Sequence, residues 1–139
     1  MPGVVALAVP LWIGVHELQQ GGAFNPVGLL PLITGFTMLV RCVYEFYQSG
    51  KGTLAPWAPP RYLVTGGLYR YSRNPMYVAV LLMLFGWSVC FWSELLATYT
   101  ISMFAGFHLR IVFGEEPWLD RTHGASWAEY RARTPRWLI

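Results

Sequence analysis

Charged residues are scarce in this chain. Of its 139 residues, 12% are Asp, Glu, Lys or Arg, and 55% are hydrophobic. A soluble domain has about 25% charged residues, so the deficit predicts that lipid surrounds much of the chain. The length predicts a single domain, residues 1–139. A net charge of +3 would hint at nucleic acid in a soluble protein, but here we expect no nucleic-acid partner.

Cysteine and metal-ligand patterns are equally sparse. Cys42 and Cys90 both fall inside apolar runs, which predicts two buried small side chains and no disulfide. The three histidines lie far apart without an accompanying Cys pattern, so the sequence predicts no metal site. No Lys or Arg precedes Arg41. A signal peptide would begin with basic residues, so we expect the first apolar segment to be a retained helix.

Four apolar stretches predict membrane-spanning helices at about residues 4–18, 26–47, 76–92 and 95–113. A span needs about 20 residues, so the first stretch is short. Three spans, with the first stretch lying only at the interface, is the alternative. Ser93 and Glu94 leave a very short turn, which predicts an antiparallel hairpin of the third and fourth helices. The predicted fold class is therefore all-α, a multi-pass transmembrane helix bundle of about four spans.

Positive charge is concentrated in the long loop, residues 48–75, and in the C-terminal segment, residues 114–139. Cytoplasmic loops are enriched in Lys and Arg, and four spans would put loop and segment on the same side. We therefore expect both termini to face the cytoplasm, with the chain in the cell (inner) membrane. Ser126, Trp127 and Glu129 open a short amphipathic helix, predicted to end before Pro135.

Two pairs of ionisable residues lie inside or beside the predicted spans, where charge is costly. Arg41 and Glu45 are four residues apart and can pair on one helix face. They are either a snorkelling arginine with its partner or one wall of a pocket. Glu115 and Glu116 are adjacent and repel each other unless a cation is near. Arg110, Arg70 and Arg73 are the candidate cations, and a cationic ligand is the alternative.

Two short motifs suit a ligand as well as a helix end. Asn74 and Pro75 are favourable at a helix start, and such a start also offers free N–H groups and positive potential. With Arg73 and Tyr77 beside it, this end suits a carboxylate. The Gly50-Lys51-Gly52 run follows the second helix and either ends it or lets the backbone approach a ligand.

Several motifs resemble those of a known family. These are Gly52–Pro56, Leu63–Tyr77 and Glu115–Leu119, with Trp127, Tyr130, Arg131, Pro135, Arg136 and Trp137 behind them. They resemble the isoprenylcysteine carboxyl methyltransferase family from about residue 50 to the C-terminus. The related phospholipid N-methyltransferases share the layout of a GxG, a helix hairpin and a paired Glu. The resemblance implies an integral membrane methyltransferase that binds S-adenosylmethionine in a cytoplasmic pocket.

The resemblance also implies roles for individual residues. The family's Arg-His-Pro-x-Tyr motif matches Arg73 to Tyr77, with Asn74 in place of a titratable His. The paired Glu is implied to hold the ammonium of the cofactor, and the GxG to approach it. The implied cofactor-binding residues are Gly50, Gly52, Tyr69, Arg70, Arg73, Asn74, Pro75, Tyr77, Glu115 and Glu116.

Arg41, Arg133 and Arg136 are the candidate catalytic residues, because they can steer an anionic acceptor. Little chain precedes the second span, so we expect a small lipophilic acceptor that arrives from the bilayer instead of a prenylated protein. Its methylated group would be the carboxylate or thiol of an isoprenylcysteine-like compound, or a lipid amine. Two alternatives remain open at this point: a membrane reductase of the sterol-reductase type using NADPH, and a non-enzymatic membrane scaffold.

Overall fold

The described part of the chain is all helical. The computed structural model describes residues 4–50 and 62–138, and these ranges contain no strand. Along them lie α1 (Val9–Gln19), α2 (Leu29–Gly50), α3 (Pro75–Phe91), α4 (Glu94–Arg110), α5 (Glu116–His123) and α6 (Ala125–Arg133). A 3-10 turn, Gly67–Arg70, precedes α3. The prediction of an all-α chain is confirmed for the part described.

The helix starts follow the local sequence signals. A π-helical turn, Val4–Ala8, leads into α1, and a 3-10 turn, Pro26–Gly28, leads into α2. The Asn25 side chain accepts a hydrogen bond from the Val27 N–H (3.1 Å) and so caps that second turn. Pro75 is the first residue of α3, where its missing N–H costs nothing. These starts were predicted to within one residue.

The fourth helix is longer than predicted. The expectation that it ends near residue 113 is wrong, because a π-helical turn, Ile111–Glu115, joins α4 directly to α5. The result is one continuous helix, Glu94–His123. Pro117 lies in the first turn of α5, where a helix tolerates proline. The wider π-helical turn before it lets the helix continue past both Gly114 and the proline.

Within residues 4–50 and 62–138, two helices are long and apolar enough to cross a membrane. They are Pro26–Gln48 and Glu94–His123, whereas Val4–Gln19 and Pro75–Phe91 are shorter apolar helices. The apolar windows of the two long helices are only 17% and 11% buried within the protein. The core helix of a soluble protein would be mostly buried, so these faces need another apolar surrounding.

Large apolar side chains are exposed on the two long helices and on α1. Trp12, Leu30, Ile101 and Phe113 are each at least 70% exposed. Soluble proteins expose single apolar residues routinely but avoid large contiguous apolar patches. Exposure of this kind on successive helices is the pattern of a protein surrounded by lipid.

The chain divides into two compact units. The first unit comprises Met1–Thr37 and Tyr77–Gly106. Its core contains Ile13, Cys90, Phe91 and Leu96, and the rings of Trp87 and Phe91 stack beside it at 5.7 Å between centroids. Cys90 is a fully buried free thiol, and so is Cys42 in the second unit, as predicted for small apolar side chains.

Polar contacts of the first unit join its helices. Trp87 Nε1 donates to the Ala6 carbonyl oxygen at 3.0 Å, and the Ser93 hydroxyl donates to Glu17 Oε1 at 2.6 Å. Ser93 Oγ also accepts from the Leu96 N–H at the start of α4. Trp92 and Ser93 are the only residues between α3 and α4, so the predicted short turn is confirmed one residue earlier than expected.

Glycines let the second and third helices approach closely in the first unit. A Cβ added to Gly86 would lie 2.7 Å from the Leu32 nitrogen and 2.8 Å from the Gly28 carbonyl oxygen. A Cβ on Gly35 would lie 2.7 Å from the Ala79 carbonyl oxygen. Since backbone atoms cannot move aside as flexible side chains do, these glycines set the distance between the two helices.

We predict that Gly86→Ala destabilises the protein by about 2 kcal/mol, because overpacking a close backbone contact costs about 1–3 kcal/mol. Gly106→Ala is the matched control. An added Cβ there meets no atom of the described residues within 4 Å, so it should be neutral or gain up to about 1 kcal/mol in helix propensity. Thermal unfolding in detergent measures both. Equal melting temperatures for the two variants would show that the helices do not depend on this contact.

Candidate functional site

The second unit, Met38–Met76 and Phe107–Ile139, contains most of the predicted site residues. The site begins at the Gly67–Arg70 turn within the long loop. Gly67 has a φ of +56°, and the Leu68 N–H donates to Glu45 Oε2 at 2.9 Å. The space beside Gly67 that a Cβ would need is occupied by the Glu45 carboxyl group. Both facts require glycine here, and together they hold the turn against α2.

The next residues of the loop bind the C-terminal segment through the backbone. The Arg73 N–H donates to the Pro135 carbonyl oxygen at 2.9 Å. The Arg136 carbonyl oxygen accepts from the Asn74 side-chain Nδ2 at 3.0 Å and from the Ser72 hydroxyl at 3.3 Å. Asn74 therefore acts here as a hydrogen-bond donor, a role that needs no titration. These bonds place the Arg73 and Arg136 side chains near each other.

One carboxylate holds both of these arginines. Glu116 Oε1 accepts from Arg73 Nη1 at 2.9 Å and from Arg136 Nε at 2.8 Å, and Glu116 Oε2 accepts from Arg136 Nη2 at 2.8 Å. The Arg73 and Glu116 side chains are 9% and 11% exposed. We call these three residues the arginine–glutamate cluster. With two guanidinium groups and one carboxylate, it carries a net charge of +1.

Arg73 is the less completely hydrogen-bonded of the two arginines. Arg73 is placed over the Trp127 ring, 5.6 Å from its centroid, and its Nε is buried without a hydrogen-bond acceptor in the described structure. Burial lowers the pKa of Arg73 from its ordinary value, which the Glu116 carboxylate offsets only in part. The pKa of Arg136 is raised instead, by its hydrogen bond to Glu116. A buried donor of this kind fits a further anion.

Glu115 has a different partner from its neighbour. Arg110 Nε donates to Glu115 Oε1 at 2.9 Å, and this pair is partly exposed. The two residues are five positions apart across the π-helical turn, whose hydrogen bonds also join residues five apart. Of the cations expected to offset the paired glutamates, the structure confirms Arg110 and Arg73 and adds Arg136.

The other predicted site residues lie in several places. Arg41 pairs with Glu45 at 3.2 Å, as predicted, and both Arg41 and Arg70 line a cavity beside the Gly67–Arg70 turn. Arg133 pairs with Glu129 on the exposed face of α6. Tyr77 lies on α3 in the first unit. Gly50 is the last residue of α2, and Gly52 lies outside the described residues.

Some residues of the site were not predicted as such. Trp127 is 2% exposed beneath Arg73, and Ser72, 1% exposed, binds the C-terminal segment. Sequence offers no signal for either contact, because each depends on a residue far along the chain. Glu45 was predicted as the partner of Arg41 or, with it, as one wall of a pocket, but its bond to the Leu68 N–H has no local pattern.

Two buried tyrosines, Tyr69 and Tyr130, are hydrogen-bonded to each other in the second unit. The Tyr130 hydroxyl donates to the Tyr69 carbonyl oxygen at 2.6 Å, which joins α6 to the 3-10 turn. Burial raises the pKa of Tyr130 to about 12 and also raises that of Tyr69. Both hydroxyl groups therefore stay protonated in the folded protein at pH values where an unfolded tyrosine ionises.

The site and fold define a class: a helical protein with exposed apolar helices and a buried arginine–glutamate cluster built from loop, helix and C-terminal segment. The family model for phospholipid methyltransferase matches residues 26–126. The chain therefore belongs to this family, which is grouped with the isoprenylcysteine carboxyl methyltransferases, and the resemblance is confirmed. Family membership and the apolar helices support a membrane-associated methyltransferase. No curated protein and no solved structure matches the chain.

We predict that Glu116→Gln destabilises the protein by about 3 kcal/mol, because breaking a buried ion pair leaves its partners' charge uncompensated. Glu115→Gln, the adjacent control, should cost about 1 kcal/mol or less, as for other exposed pairs. Melting temperatures in detergent at low and high salt measure the difference. Equal losses for the two variants would contradict a special role for the buried carboxylate.

We predict that stability is retained up to about pH 10, where unfolded tyrosine begins to ionise, and falls as the pH rises toward the folded pKa of Tyr130, about 12. The sign follows because the unfolded state then binds fewer protons than the folded state. Tyr130→Phe should lose about 1 kcal/mol at neutral pH and show a shallower fall above pH 10.

The control for this experiment is Tyr71→Phe, at a side chain that is 67% exposed. It should leave both the melting temperature at neutral pH and the alkaline slope unchanged. Melting temperatures between pH 8 and pH 12 give the slopes for all three proteins. An equally steep alkaline fall in the Tyr130→Phe variant would contradict the assignment.

Proposed function

We propose that this protein is an S-adenosylmethionine-dependent membrane methyltransferase that acts on a small lipophilic acceptor. Membership of a methyltransferase family supports the reaction class. The observation that carries the proposal is the net positive, buried arginine–glutamate cluster with its unpartnered Arg73 Nε. A free amino-acid carboxylate is the kind of anion that accepts a hydrogen bond from such a donor.

The residues of the second unit fit the charged groups of this cofactor. Arg73 would hold the carboxylate of the methionine moiety, with Arg136 beside it. Glu115, partly exposed next to the cluster, would hold the ammonium. Asn74 and Pro75 would place the start of α3 near the methionine moiety of the cofactor. When bound, the cofactor supplies an electrophilic methyl group on a sulfonium.

The protein's own task in such a reaction is alignment. Methyl transfer is an in-line displacement, and correct positioning of the two reactants supplies most of the rate. A carboxylate or thiolate acceptor needs no general base, whereas a lipid amine has to be neutral first. Arg41, Arg133 and Arg136 remain the candidates for steering an anionic acceptor. Their exposure differs: Arg136 is 30% exposed, whereas Arg41 and Arg133 are at least 70% exposed.

The proposed topology is the one expected from charge and hydropathy. Four spans, with both termini on the cytoplasmic side, would put the long loop and the C-terminal segment on the same face of the inner membrane. The two long apolar helices support two of these spans. The helices Val4–Gln19 and Pro75–Phe91 would supply the other two, near the lower limit of about 17 residues.

Calorimetric titration of the purified protein with S-adenosylhomocysteine tests the proposal. We predict binding to the wild type and at least about tenfold weaker binding to Arg73→Met, since a hydrogen bond to a charged group contributes about 1.5–3 kcal/mol. The variant keeps an apolar stem over Trp127 and leaves Glu116 paired with Arg136, so it should remain folded. Helical content by circular dichroism checks this.

Arg121→Met is the matched control, because Arg121 is exposed and its Nε donates to the Pro117 carbonyl oxygen. It removes the same charge and should leave affinity unchanged. Absence of binding to folded wild type at millimolar ligand would contradict the proposal. So would an Arg73→Met variant that binds as tightly as the wild type.

A further inference from the structure

A second basic feature of the second unit lies beside the 3-10 turn. A cavity of about 290 Å³ is lined by Arg41, Gly67, Leu68, Arg70 and Tyr71. None of these residues belongs to the arginine–glutamate cluster. We call this feature the Arg41–Arg70 cavity, after the two charged side chains that line it.

The wall of the cavity is held in place by Glu45. Its Oε1 accepts from Arg41 Nε at 3.2 Å, and its Oε2 accepts from the Leu68 N–H at 2.9 Å. The Glu45 side chain is 16% exposed, so the carboxylate lies behind the wall with both oxygens engaged. One residue therefore orients the Arg41 guanidinium and fixes the turn that carries Arg70. The bonds of one carboxylate therefore connect two of the elements that line the cavity.

The cavity carries surplus positive charge. Arg41 uses only its Nε in the bond to Glu45, and within residues 4–50 and 62–138 its terminal nitrogens make no other hydrogen bond. The Arg70 guanidinium is exposed and has no hydrogen-bond or ion-pair partner among those same residues. Two guanidinium groups against one engaged carboxylate leave a net charge of +1. Planar guanidinium groups bind phosphate through paired N–H bonds.

The position of Arg41 indicates where an anion would come from. Arg41 lies seven residues before the end of the apolar helix Pro26–Gln48, which is about 10 Å at 1.5 Å per residue. Tyr44, three residues after Arg41, is 64% exposed, and Tyr71, next to Arg70, is 67% exposed. Tyrosine favours the headgroup level of a membrane. If Pro26–Gln48 spans the membrane as proposed, the cavity would lie near the headgroup region.

We infer that the Arg41–Arg70 cavity binds the phosphate of an anionic membrane lipid. Its volume, just below the range of about 300–1,000 Å³ for complete ligand pockets, suits a headgroup with the acyl chains left outside. Basic sites beside membrane helices bind such headgroups through the same charge complementarity. The inference goes beyond the methyltransferase proposal, because lipid binding here requires neither the cofactor nor turnover.

The test is a titration of delipidated protein, in neutral detergent and without cofactor. The three ligands are dihexanoyl phosphatidylglycerol, dihexanoyl phosphatidylcholine and inorganic phosphate. We expect the anionic lipid to bind most tightly, and its affinity to fall as NaCl is added. Arg41→Gln and Arg70→Gln should each weaken it about fivefold, and the double variant about 25-fold, as for about 1 kcal/mol per arginine at a membrane surface.

Two further variants keep the test decisive. Arg121→Gln removes the same charge from an exposed position on α5 and should leave the affinity unchanged. Arg70→Lys keeps the charge but loses the planar fork, so its affinity should lie between those of the wild type and Arg70→Gln. Because Arg70 makes no bond to Glu45, the Arg70 variants should fold even if Arg41→Gln does not, which circular dichroism checks.

Four results would overturn the inference. They are wild-type affinity in the double variant, an equal loss in Arg121→Gln, phosphatidylcholine bound as tightly as phosphatidylglycerol, and inorganic phosphate bound as tightly as the lipid. The second result would indicate attraction by net charge alone. The last would assign the cavity to free phosphate.

Discussion

The second unit depends on one shared carboxylate. Glu116 on α5 holds Arg73 from the loop and Arg136 from the C-terminal segment, at distances of 2.8–2.9 Å. Burying charge is costly unless it is paired and hydrogen-bonded, and here one carboxylate bonds to two guanidinium groups and offsets one of their two charges. What remains is a single positive charge on a buried arginine. This net positive charge is the basis for the proposal that the site binds an anion.

The adjacent glutamates avoid repulsion through helix geometry. Successive residues of a helix point about 100° apart, so Glu115 and Glu116 face different surroundings. Glu115 meets Arg110 across the π-helical turn, and Glu116 meets the buried arginines. The same turn carries the helix past Pro117. The π-helical turn therefore lets the helix continue and gives the two carboxylates different partners.

The arginines of the second unit differ in burial and in bonding. Arg73 and Arg136 belong to a buried cluster suited to the charged end of a small cofactor. Arg41 and Arg70 line an exposed cavity that suits a lipid phosphate. Charge near a membrane helix is often explained by topology alone, but burial and bonding separate these residues. The exposed guanidinium groups of Arg41 and Arg70 can meet a ligand from the bilayer, whereas the buried Arg73 is bound to Glu116 and has one N–H left for a ligand.

Sequence alone predicted what depends on near neighbours. The helix starts at Pro26 and Pro75, the short link before α4 and the Arg41–Glu45 pair all follow from residues within a few positions of one another. The apolar runs predicted the helices themselves. The end of the fourth helix was not predicted. The helix continues past Gly114 and Pro117 through a π-helical turn, and no local sequence pattern predicts that turn.

Only the tertiary structure decided which arginine pairs with which glutamate. Arg73 and Glu116 are 43 residues apart, and Arg136 and Glu116 are 20 apart. Their meeting depends on hydrogen bonds from the Arg73 N–H and from the Ser72 and Asn74 side chains to the carbonyl oxygens of Pro135 and Arg136. Helices form from local hydrogen bonds and apolar periodicity, so the sequence itself determined them. A buried ion pair forms only where the path of the whole chain brings its members within about 3 Å, and composition and spacing do not contain that path.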